Sequence, residues 1–152
     1  MPIIVHNEAE AKSYEGKEIG VSEWFLIDQD RINKFAEATD DFQWIHIDPE
    51  RAKQELPIGT TIAHGYLLTA LLPVLSQNIV EFEAKRVINY GLNKVRFKAM
   101  VPSGSRVRLR TCLKSARKRA GALQIILDNS LEIEGQKRPA CIAETIAMYF
   151  DD

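Results

Sequence analysis

Of the three histidines in the chain, two have neighbours that give them chemical possibilities. Asp41 precedes His46 by five residues within TDDFQWIHID, a stretch that follows neither a helical nor a strand period. A carboxylate and an imidazole on one irregular loop can converge on a shared water, the carboxylate as acceptor and the imidazole as orienting group or proton donor. The same two residues also fit a plainer role, a solvated aspartate beside a histidine that caps the helix opening at Asp48. His64 and Gly65 fall in the first turn expected of a long uncharged helix. Backbone N–H groups in a first turn lack intrahelical partners and favour negative charge, so they suit a developing oxyanion. Glycine lets a ligand approach such an amide closely. The alternative there is tight packing at Gly65 and a buried carbonyl satisfied by His64. His6 lies in a polar N-terminal stretch and is assigned no role.

The elements that must position these residues are legible in outline. Val21 to Ile27 reads as a first strand. Asp28 stands at an N-cap, followed by Ile32, Phe35 and Ala36 at helical spacing, for a helix ending near Ala38. Asp48-Pro49 opens a second short helix. Thr60 or Thr61 is expected to cap the uncharged helix, which runs to about Val80 with Pro73 inside it. Between Glu55 and Glu81 lie 25 residues without a formal charge, but their polar and helix-breaking members leave too short an apolar run to cross a bilayer. Residues 85–98, 105–117, 121–134 and 138–150 are rich in Val, Ile, Leu and aromatics, with Gly or Pro near their edges, as strands are. Helices first and adjacent strands after them predict an α+β domain, with an antiparallel sheet wrapped around a helix buried on nearly all sides.

Composition narrows the function classes. The chain has 152 residues, 45% hydrophobic and 27% charged, with a formal net charge of −1. That length suits one domain over 1–152, its residues 1–18 an extension packed on the surface. The near-neutral balance argues against nucleic acid or an anionic membrane as partner. Cys112 and Cys141 lie far apart with no CxxC pattern, so neither a disulfide framework nor a thiolate metal site is indicated. The N-terminal residues are too acidic and broken for a signal peptide, which gives an expected cytoplasmic location. Charge is uneven, however: from Lys94 to Arg119 there are ten Lys or Arg and no Asp or Glu. That band reads either as a solvated strand face paired with Glu132, Glu134 and Glu144, or as a landing surface for phosphates.

Three blocks carry a family resemblance: FAEATDDFQWIHIDPERAK over 35–53, GTTIAHGYLLTALL over 59–72 and INYGLNKVRFKAMVPSGSRVRL over 88–109. In order and spacing they resemble the MaoC-like (R)-specific enoyl-CoA hydratases, most closely the nodulation protein N-like branch. The hydratase motif, an aspartate followed by histidine and then alanine, is met by Asp41, His46 and Ala52. The resemblance implies a hot-dog fold, a long central helix wrapped by an antiparallel sheet. It also implies a homodimer and (R)-specific hydration of a trans-2-enoyl-CoA, or the reverse dehydration. Asp41 would then take a proton from water. His46 would position that water and help deliver a proton to the α-carbon, and the Gly65 amide would hold the thioester oxygen. Gln43 stands where many relatives have asparagine and is expected to order the loop through its amide. Trp44 replaces a common proline and either shapes the acyl pocket or staples the loop. His64 supports the site. Asp40 stands where many relatives have glycine. Lys94, Arg96 and Lys98, beside the family-like NKVRF segment, are the candidates for coenzyme A phosphates.

The resemblance calls for no cofactor and no metal, coenzyme A or acyl carrier protein thioester being the substrate. A metal hydrolase built on Asp41, His46, Asp48 and His64 is conceivable from ligand types alone. Two other readings stay on the same fold: an acyl-CoA thioesterase and a non-catalytic acyl-thioester-binding subunit. Hot-dog thioesterases place their carboxylate on the central helix, and none lies between His64 and Val80 here.

Overall fold

The structure, a computed structural model, describes residues 1–152. A short strand, β1 (Ile3–Val5), leads into α1 (Glu8–Ser13), whose first turn is capped by Asn7 accepting from the Glu10 N–H at 2.9 Å. The segment expected to be surface packing also reaches the interior: Val5 and Ala11 join the core. The single strand expected over 21–27 is two, β2 (Lys17–Val21) and β3 (Phe25–Ile27). Between them Ser22 exchanges bonds with Leu109, its N–H donating to the carbonyl and its Oγ accepting from the N–H, each at 2.8 Å. A side chain thus stands in for one rung of the ladder and lets the edge break.

Helix α2 (Gln29–Thr39) starts at Asp28 as its sequence predicts, the Asp28 side chain accepting from the Arg31 N–H at 2.9 Å. A single turn, α3 (Trp44–Ile47), follows, then α4 (Pro49–Glu55), capped by Asp48 accepting from the Arg51 N–H at 3.0 Å. The uncharged helix, α5 (Gly65–Gln77), is shorter than expected at both ends, and His64, not Thr60 or Thr61, is its N-cap. Residues 61–63 cannot join it because they are held extended against another segment. The Ala63 N–H donates to the Val101 carbonyl and the Ser103 N–H to the Thr61 carbonyl, both at 2.9 Å.

The chain continues through β4 (Val80–Phe82), β5 (Arg86–Phe97), β6 (Ser105–Arg119), β7 (Ala122–Ile133) and β8 (Cys141–Phe150). The main sheet is antiparallel in the order β2-β6-β7-β8-β5, with β3 also on β6, while β1 and β4 form a separate parallel pair. Leu67, Leu68, Leu71, Leu72 and Leu75 of α5 pack into the core with inward-facing sheet residues such as Leu109, Ile125 and Leu131. Burying each leucine contributes roughly 1.5–3 kcal/mol, and Leu72→Ala is expected to cost about 2–5 kcal/mol. This is the hot-dog arrangement. The helix is not buried on all sides, though: Tyr66, Ala70 and Val74, four residues apart, form an exposed stripe, with Tyr66 74% exposed. β5 pairs on one side only, with β8. Two bulges interrupt it, one at Tyr90 and one where Lys94 and Val95, between Asn93 and Arg96, stand opposite the single Ala143, with Lys94 at φ +54°.

Candidate active site

Asp40 closes α2 in the left-handed conformation, φ +56° and ψ +25°, and turns the chain so that the Asp41 N–H still donates to the Ala36 carbonyl at 3.2 Å. That reversal delivers the exposed Asp41 side chain to the loop ahead of α3, whose one turn carries His46 inward to 7% exposure. Gln43 does not order this loop through its side-chain amide, which makes no hydrogen bond; its carbonyl accepts from the His46 N–H at 3.0 Å instead. Gln29 does that work. Its Nε2 donates to the His46 carbonyl at 2.7 Å, and its Oε1 accepts from the Thr61 hydroxyl, which joins α2, α3 and the strand-like approach to α5. The Trp44 ring carries the Arg51 guanidinium of α4 at 4.1 Å from its centroid.

His46 Nδ1 lies 2.7 Å from the Ile62 carbonyl oxygen. A carbonyl only accepts, so Nδ1 carries the hydrogen and Nε2 of the neutral ring holds a lone pair. Burial pushes the His46 pKa below its ordinary 6.5, and the nearby His64 adds to that; the Ile62 bond and Asp41 oppose it. The His64 ring stacks on His46, centroids 3.9 Å apart and planes 22° apart. Its Nε2 lies 3.1 Å from the backbone carbonyl of Asp41. Asp41, His46 and His64 therefore converge as the sequence suggests, one ligand-type atom from each within 4.8 Å of the others. As a metal cage the trio fits poorly: lone pairs lie in their ring planes, and two stacked rings aim them side by side rather than at one ion.

Gly65 opens α5, and its N–H donates to nothing within the chain. It is an unengaged amide at a helix N-terminus, one covalent step from His64. The half-exposed Phe97 ring covers the α-carbon so closely that a Cβ there would stand 2.9 Å from Cε2. Farther along α5, from Thr69 to Gln77, a groove of about 510 Å³ runs beside Leu72, Pro73 and Ser76, walled by Leu92, Leu127 and Tyr149.

Five of the ten cations in the band are paired with carboxylates across strands. Arg106 pairs with Glu134, Arg108 and Arg110 with Glu132, and Arg110 also with Glu18. Lys114 shares Glu144 with Lys94, the latter at 3.5 Å. Of the three phosphate candidates, only Arg96 and Lys98 lack a carboxylate partner, and they flank Phe97. Arg96 instead donates to the Val95 carbonyl at 2.7 Å.

The model of the MaoC-like domain matches residues 10–132. The chain is 47% identical over 143 residues to 3-hydroxyacyl-thioester dehydratase Z of Mycobacterium tuberculosis, covering 93% of this chain and 94% of that protein. It is 43% identical to nodulation protein N of Rhizobium meliloti, covering 92% and 89%. Among solved structures, the (R)-hydratase from A. caviae involved in PHA biosynthesis superimposes with a TM-score of 0.68 at 21% identity, over 86% of this chain and 95% of that one. That last likeness speaks for the fold.

Proposed function

The chain belongs to the MaoC-like domain family, and we propose that it adds water across the double bond of a trans-2-enoyl thioester to give the (R)-3-hydroxyacyl thioester, or runs the reverse dehydration. The observation that carries this reading is the convergence of the Asp41 carboxylate and the His46 lone pair beside the unengaged Gly65 amide. The dehydratase relative at 47% identity supports the reaction class, and the (R) outcome rests on the family resemblance.

A thioester carbonyl held by the Gly65 N–H gains stabilisation for the charge that grows on its oxygen as the β-carbon is attacked. One water donates both hydrogens, to Asp41 and to His46 Nε2. As its oxygen bonds the β-carbon, Asp41 takes one proton and the π pair moves into an enolate. The same proton then passes to the α-carbon. His46 serves here as acceptor and orienting group, because its one ring hydrogen is committed to the Ile62 carbonyl. The acyl chain follows the groove along α5, and Arg96 and Lys98 meet the phosphates of coenzyme A or of a carrier-bound arm. No metal or cofactor has a part in this scheme.

The exposed stripe of α5 and the free edge of β5, with Val87, Ile88, Tyr90 and Leu92 all exposed, suit a homodimer. No helix is long and apolar enough to cross a membrane. Two unpaired thiols suit a reducing compartment, and we place the enzyme in the cytoplasm on that ground.

The test follows enoyl absorbance with crotonyl-CoA and with a longer trans-2-enoyl-CoA, alongside free thiol. Wild type is expected to consume the alkene without releasing thiol, with Asp41→Asn and His46→Ala slower by about 10²–10⁴-fold. Arg96→Glu with Lys98→Glu is expected to raise KM for the coenzyme A thioester more than for a truncated pantetheine thioester. Thiol release with the alkene intact would make the protein a thioesterase, a reading that the absence of any carboxylate on α5 disfavours.

A further inference from the structure

We propose that His64 is a positioning residue, its imidazole holding Asp41 and His46 in register with the Gly65 amide through an Nε2 that carries the ring hydrogen. This rests on the hydratase reading above. His64 meets all three groups: it donates from Nε2 to the Asp41 carbonyl at 3.1 Å, stacks on His46 at 3.9 Å and precedes Gly65 in the chain. Phe35 packs on the ring, centroids 4.9 Å apart, and only 2% of the residue is exposed.

The remaining ring nitrogen is the telling one. Nδ1 is buried without any partner, a position that native proteins generally avoid. A leucine or phenylalanine would fill the space with no such stranded atom, so packing alone does not account for an imidazole here. Capping does not account for it either: His64 is the N-cap of α5, yet its side chain makes no capping bond. What a hydrocarbon cannot supply is the bond from Nε2 to the Asp41 carbonyl, which ties the loop carrying the carboxylate to the turn carrying the amide. A residue that orients catalytic groups in this way typically governs about 10–100-fold in activity.

Three measurements on the full chain test this. His64→Phe keeps an aromatic disc for His46 and removes the donor, while His64→Gln restores an N–H donor. Steady-state hydration should show kcat down about 10–100-fold in His64→Phe with KM within about threefold, and a clear part of the loss regained in His64→Gln. Amide hydrogen exchange at residues 41–43 should accelerate about tenfold or more in His64→Phe, although its far-UV spectrum matches wild type. Imidazole ¹⁵N spectra of wild type should show the hydrogen of His64 on Nε2 and that of His46 on Nδ1. A His64→Phe enzyme with kcat within threefold of wild type overturns the inference. So does a His64 hydrogen found on Nδ1, whatever the activity. Should wild type hydrate no enoyl thioester, the hydratase reading fails, and exchange and spectra alone decide whether His64 holds the loop.

Discussion

The Phe97 ring lies against the α-carbon of Gly65, so that a Cβ built there meets three ring carbons at 2.9, 3.0 and 3.1 Å. Gly65→Ala must therefore push the ring outward, which is possible because Phe97 is 47% exposed. Overpacking of this kind costs about 1–3 kcal/mol, offset by about 0.4–1 kcal/mol from the stiffer unfolded chain. Urea unfolding should show a net loss in the wild-type background. With Phe97→Ala the clash is gone and the same substitution should become stabilising. A loss of equal size in both backgrounds would mean the ring is not what excludes a side chain.

Gln29 is the residue most readily overlooked, and its removal should be felt at His46. Gln29→Ala strands the His46 carbonyl and the Thr61 hydroxyl, at an expected cost of about 1–3 kcal/mol. Gln29→Glu can still accept from Thr61 but turns a carboxylate toward a carbonyl that needs a donor, so it should lower kcat further than its thermal midpoint suggests. Thermal unfolding and enoyl hydration measured on both variants check this. Wild-type kcat in Gln29→Glu would remove Gln29 from the site's support.

Asp40 separates conformation from chemistry. It holds φ +56° just before the proposed base, and its carboxylate is not in the Asp41, His46 and His64 cluster. Aspartate tolerates the left-handed region better than most residues, so Asp40→Gly should be neutral or stabilising by about 0.5 kcal/mol with activity kept. Asp40→Val, branched at Cβ, should lose about 1–2 kcal/mol. An inactive but stable Asp40→Gly enzyme would instead assign the proton transfer to Asp40.

Two histidines should bend stability with pH in opposite directions. His46 is lowered from 6.5, chiefly by burial, so its contribution is present above that value and is lost as pH falls through the lowered one. Activity should fall on the same limb, as Nε2 gains a proton and stops accepting. His6 is raised, chiefly by its hydrogen bond to Glu83, so its contribution is present below 6.5 and lost as pH rises through the raised value. Unfolding of His6→Gln across pH 5–8 should keep the acid-side loss and abolish the other. NMR midpoints for both rings give the direct check.

Much of this molecule was legible before any coordinates, because the signals are local. The Asp28 and Asp48 caps, and glycine or proline beside apolar runs, placed α2, α4 and the four long strands to within a few residues. Asp41, His46 and Gly65 came from spacing and resemblance. What escaped depends on partners distant in the chain. Gln29 reaches a carbonyl 17 residues on, which no pattern around it announces. The start of α5 is set by bonds from 61–63 to 101–103, so the Thr60 or Thr61 expectation was reasonable locally and overruled globally. An uncharged helix hides its exposed stripe, since Tyr66, Ala70 and Val74 carry no charge to reveal it. The ion pairs that engage half of the basic band follow from strand register: Arg108 stands opposite Glu132 only once β6 and β7 are aligned.

The bulge at Lys94 sets the parity of β5. Side chains alternate along a strand, and one inserted residue exchanges odd for even beyond it. After the insertion Phe97 turns toward α5, while Arg96 and Lys98 share the other side. The same residues paired as an unbroken ladder beyond Asn93 would invert this rim, placing two cations over the Gly65 amide and the aromatic ring in water; deleting Lys94 instead removes the bulge and keeps Arg96 opposite Ile142 and Phe97 opposite Cys141. At this edge of the site, arithmetic in the backbone governs which chemistry faces the substrate.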